Sequence, residues 1–160
     1  MVTTELNAPA EVAAFIRNSA GLYGRDLDAI SDEDYTKPMG GVCRSAHEFT
    51  VEIVGFNRHI ANQLRGIEAT PLTDEQKAER SAKLSDRAEG KAAVIVSADE
   101  LAQAVVDHPE NLAKETMAPW KAPMSLFTLV LIGMSHIMYH DGQLNFLQSY
   151  RGDGEMHWFD

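Results

Sequence analysis

Cysteine is nearly absent. Cys43 is the only one in 160 residues, so no disulfide can close within the chain and nothing points to an oxidising compartment. Long apolar runs are missing as well: the richest, Met124 to Met138, spans about 15 residues and is broken by Ser125, Thr128, Gly133, Ser135 and His136, too short and too polar for a bilayer. No basic segment followed by an apolar stretch opens the chain, so a secretory signal is not expected and the cytoplasm is the expected location. Cations are scarce, with 14 Lys+Arg against 24 Asp+Glu and a net charge of −10. Such a surface repels phosphate backbones and anionic lipids, which sets aside nucleic acid and membranes as partners. Cleanly alternating runs are also lacking, so strands are not expected.

What remains is helical periodicity. Val12, Phe15, Ile16, Leu22, Tyr23, Leu27 and Ile30 recur mostly at three- and four-residue spacing and predict a first helix after Pro9. Residues 31–41, with Pro38 and Gly40-Gly41, read as a connection. A second helix is expected from about Arg44 to Arg65, with Phe49, Ile53, Phe56, Ile60 and Leu64 on its apolar side and Gly66 near its end. Residues 74–89 are strongly charged and predict an exposed helix or a partly ordered connection. Apolar spacing returns from Lys91 to Val106, where Ser97 either caps a fresh helix or lies inside a longer one. Pro109, Pro119 and Pro123 keep the next stretch irregular. The last helix is expected from about Met124 to Tyr150. Its first half is apolar on nearly every side, so it must be covered all round, which suggests a second subunit and hence a homodimer. The fold class expected is all-α: a four-helix bundle with up-down topology and a longer connection, as one domain over residues 1–160.

Six histidines are present, and two have a spacing that chemistry can use. His136 and His140 are four residues apart, so on a helix they lie about 40° apart and one turn along. They share a side with Leu129, Ile132 and Leu147, which turns them toward the core. Two imidazoles there need polar partners to offset desolvation. A metal ion is one such partner; a hydrogen bond between the rings is another. Two ligands hold an ion weakly, so a third must come from another helix. His47, early in the second helix, is the candidate. His59 lies about 120° further round that helix and cannot share the site. Gln143, one turn past His140, together with Asn57 and Tyr139, is a candidate for orienting a ligand or substrate.

These residues carry a resemblance. Ser45-Ala46-His47-Glu48 followed by Asn57, and Ser135 through Leu147 with its His-xxx-His-Asp-Gly-Gln block, resemble the second and last helices of the DinB/YfiT-like superfamily; Glu155-Met156-His157-Trp158 is similar to the tail of one subgroup. The resemblance implies a four-helix bundle, commonly dimeric, with one divalent ion, zinc or nickel, held by three histidines: here His47, His136 and His140. It also implies open coordination positions and a metal-dependent enzyme on a small-molecule substrate. Characterised relatives are S-transferases or isomerases using low-molecular-weight thiols, and a hydrolase reaction is equally open to such a site. The alternative is a non-catalytic bundle stapled by its ion, a dimeric binding or stress-response module.

Overall fold

The computed structural model describes residues 6–38, 40–68 and 70–159. Six helices follow in the order α1 (Ala8–Ala29), α2 (Asp32–Thr36), α3 (Ala46–Leu64), α4 (Asp74–Lys83), α5 (Arg87–Asp107) and α6 (Leu126–Tyr150), with strands β1 (Glu115–Met117) and β2 (Pro123–Ser125) between the last two. Short polar side chains fix where the helices begin. Ser45 and Glu48 close a reciprocal capping box at the start of α3, and Thr73 and Gln76 do the same for α4. Asp86 and Ser125 cap α5 and α6. Gly66, at φ 71°, ends α3 in the left-handed conformation, and the amide of Ile67 then donates back to Asn62 O at 2.8 Å.

The four long helices form the bundle. α1 packs on α5 and α6, and α3 packs on the same two, so α1 and α3 sit diagonally. Cross-links between helices give their directions. Arg17 reaches Asp99 while Lys91 reaches Asp28, so α1 and α5 are antiparallel. Asn57 pairs with Ser97 and Arg58 with Glu100, so α3 and α5 run parallel. The longer connection, carrying α4, returns the chain to the starting end and allows this. Tyr23, Leu27, Ile53, Ile60, Leu101, Leu129, Ile137 and Leu144 fill the centre and are fully buried. Each contributes about 2 kcal/mol by leaving water.

Several local expectations are revised. Ser97 lies inside α5, where its hydroxyl donates to Val94 O at 3.1 Å, so no helix begins there. The connection at 31–41 contains α2, capped by Ser31. Strands do occur: β1 and β2 form a small antiparallel hairpin, with Thr116 opposite Met124. Its tight turn at Pro119-Trp120-Lys121 holds Lys121 at φ 64°, and three-residue strands are too short to show alternation in sequence. Among the described residues no helix is long and apolar enough to cross a membrane.

Gly133 sets the spacing between α3 and α6. A Cβ there would lie 2.7 Å from Ile60 Cδ1, closer than carbon atoms tolerate, so the missing side chain lets the two helices approach.

Candidate metal centre

α6 presents His136 and His140 toward α3, and α3 meets them with Glu52. One donor atom from each lies within 4.8 Å of the others, a set able to hold a metal ion. The two Nε2 atoms are 3.0 Å apart, and Glu52 stands 3.2 Å from His136 Nε2 and 3.8 Å from His140 Nε2. His140 is fully buried, stacked on Phe49 at 4.9 Å between ring centres. His136 is largely buried and meets the edge of Phe56.

Hydrogen bonding assigns the tautomer of His140. Its Nδ1–H donates to Gln143 Oε1 at 2.6 Å, which leaves Nε2 as a bare lone pair aimed at His136 and Glu52. His136 has no such partner on Nδ1. Burial keeps both rings neutral: it pushes His140 down to about 4 against the smaller opposing pull of Gln143's hydrogen bond, and it lowers His136 against the pull of Glu52. Burial would raise Glu52, but hydrogen bonds from Arg44 and His136 outweigh it and hold the carboxyl below its usual range. The result is two neutral imidazoles and one carboxylate, all in the protonation states that ligate divalent ions.

Arg44 also borders the centre. Its guanidinium donates to Glu52 Oε2 and lies 5.3 Å over the Phe49 ring. Tyr139 stands edge-on to His140, and its hydroxyl accepts from Gln143 Nε2 at 3.4 Å.

Two of the expected residues lie elsewhere. His47 is not brought to the pair: its Nε2 is 2.9 Å from Ser81 O, at the end of α4, and its ring meets Tyr35 edge-on. The reason is helical phase, since His47 and Glu52 are five residues apart and therefore about 140° apart around α3. Asn57 is buried against α5, with its amide donating to Ser97 Oγ at 3.2 Å. Gln143 and Tyr139 lie at the centre, as described.

Behind the ligands, on the α1 side of α6, is a second polar cluster. Asp26 and Asp141 are both fully buried; Asn145 Nδ2 and Trp158 Nε1 donate to Asp26 Oδ2 at 2.6 and 3.0 Å. Burial and the neighbouring Asp26 push Asp141 up to about 8, which favours its protonated form.

Two clefts flank the centre. One, of about 350 Å³, opens beside His140 between Arg44, Phe49, Tyr139 and Phe146. The other, of about 240 Å³, opens beside His136 against Phe56, Ile132 and Trp120. Over residues 1–153 the chain matches the model of the DinB family. No curated protein matches it.

Proposed function

Because this chain belongs to the DinB family, we propose that Glu52, His136 and His140 form its metal centre and that it is a metal-dependent enzyme acting on a small molecule. The reaction class is transfer to or from a low-molecular-weight thiol, or hydrolysis, in the cytoplasm. The observation that carries this is the convergence of Glu52, His136 and His140 on one point, with His140 held in its ligating tautomer by Gln143. A divalent ion there supplies Lewis acidity, which makes a thiol or water brought to it more acidic.

The chain's own residues do the rest. Gln143 orients the His140 ring, and Tyr139 steadies Gln143. Arg44 holds one oxygen of Glu52 and leaves the other facing His136. Phe49 packs against the His140 ring and Phe56 against the His136 ring. Imidazole nitrogen with one carboxylate suits zinc or nickel, and the carboxylate leaves the loaded centre one positive charge lower than three histidines would. A cleft lined by Glu52 and His136 themselves favours catalysis over an ion sealed in as a staple. We also assign a homodimer, formed through the exposed apolar stripe of Phe127, Leu131, Tyr139, Phe146 and Tyr150 on α6.

Elemental analysis of the purified protein and three variants tests the centre. His136→Ala and Glu52→Gln should each lose most of the bound metal, whereas His47→Ala should keep it. Loss with His47→Ala together with retention by Glu52→Gln would restore His47 as the third ligand and overturn this assignment.

A further inference from the structure

The cleft beside His140 has a chemical character of its own. Its volume, about 350 Å³, is in the range that takes a small metabolite. Three aromatic rings, Phe49, Tyr139 and Phe146, and the side chain of Leu147 make its walls apolar. Arg44 is the one charged residue that lines it.

Arg44 is only partly committed. It donates through Nη1 to Glu52 and makes no other hydrogen bond among the described residues, and its side chain is 43% exposed. The guanidinium carries further N–H donors in a rigid fork, and that fork matches a carboxylate. Its Cζ lies 5.3 Å over the Phe49 ring, which sets the cation beside the aromatic wall. A ligand anchored there therefore places its body against the rings.

The charge of the ligand follows from what surrounds this cation. The chain carries −10 overall, and the cleft offers no second cation beside Arg44. The guanidinium already faces Glu52, so every negative charge on a ligand adds to an acidic field, and a phosphate dianion is disfavoured more than a monoanion. A neutral ligand would gain less from Arg44, because its acceptor carries no charge. We propose that this cleft binds a small monocarboxylate with a flat apolar body, its carboxylate on Arg44 and its body between Phe49, Tyr139 and Phe146. The proposal deepens the enzymatic reading, on which it rests for placing the bound molecule next to the reacting centre; the anion site itself needs no ion.

Cinnamate, its neutral amide and phenyl phosphate are suitable probes. Their binding is measured calorimetrically on metal-loaded and metal-stripped protein, with the metal content of every sample determined separately. Cinnamate should bind in both forms, and the amide should bind about tenfold more weakly, the size expected for one charge-assisted hydrogen-bonded pair. Arg44→Gln should cost cinnamate about the same factor and the amide clearly less, while Arg44→Lys should recover part of the loss. Equal binding of acid and amide, cinnamate binding unaffected by Arg44→Gln, or preference for phenyl phosphate would each overturn the proposal. A protein that binds cinnamate through Arg44 yet holds no metal would preserve this inference and refute the metal centre.

Discussion

At the scale of single residues, the two titrating groups on opposite sides of α6 pull stability in opposite directions. His140 is a base held at about 4 instead of 6.5, so the unfolded chain takes up a proton that the fold refuses. Its contribution is complete above pH 6.5 and drains on acidification. Asp141 is an acid pushed from 3.8 to about 8, so the fold keeps a proton that the unfolded chain releases; its contribution is complete below pH 3.8 and drains as pH rises through 8. Between pH 6.5 and 8 only the second effect operates of the two. Metal-free protein should lose roughly 2 kcal/mol over that interval, and Asp141→Asn should flatten the slope. Urea unfolding at the two pH values checks it; stability that rises over the interval would contradict the buried carboxyl pair. The residue scale is also where sequence reading was least complete. Gln143 was legible, because one helical turn past a buried histidine is where an orienting partner falls. Glu52 is not legible in the sequence: a part-exposed carboxylate on α3 reads as an ordinary solvated helix residue, and only the packing of α3 on α6 brings it to the histidines. His47 has the residue type of a ligand, but phase turns it about 140° from Glu52 around the helix.

At the scale of elements, the four long helices could be read from apolar spacing and from the prolines and glycines between them, the last one from its nearly continuous apolar first half. The hairpin could not, since its strands are short and its shape depends on the turn at Lys121 rather than on alternation. Nor could the helical direction of α5 relative to α3, which depends on the length of the α4 connection. The spacing of α3 from α6 depends on Gly133, and this yields a prediction. Gly133→Ala must displace Ile60 or part the helices, costing about 1–3 kcal/mol of stability. Because Glu52 comes from one helix and both histidines from the other, parting them should weaken metal binding on the order of tenfold. Chelator competition measures this, with Gly55→Ala as the control because an added Cβ there meets nothing within 4 Å. Unchanged metal affinity in a folded Gly133→Ala protein would show that the donors do not depend on this contact.

At the scale of the whole molecule, the exposed apolar residues of α6 are the surface on which a second copy is expected to pack. Sedimentation at tens of micromolar should give twice the 17.7 kDa chain mass, and Phe146→Asp should return the monomer. A wild-type protein that sediments as a monomer would remove the dimer. Because Tyr139 and Phe146 also wall the cleft beside His140, a second copy would form its outer boundary.

The donor cluster, finally, meets its two clefts unequally. Glu52 and His136 themselves line one, so a molecule lying there touches the donors directly. The other reaches only Phe49, Tyr139 and Gln143, the side chains packed around His140, so whatever settles in it is felt at the donors through the set of that ring.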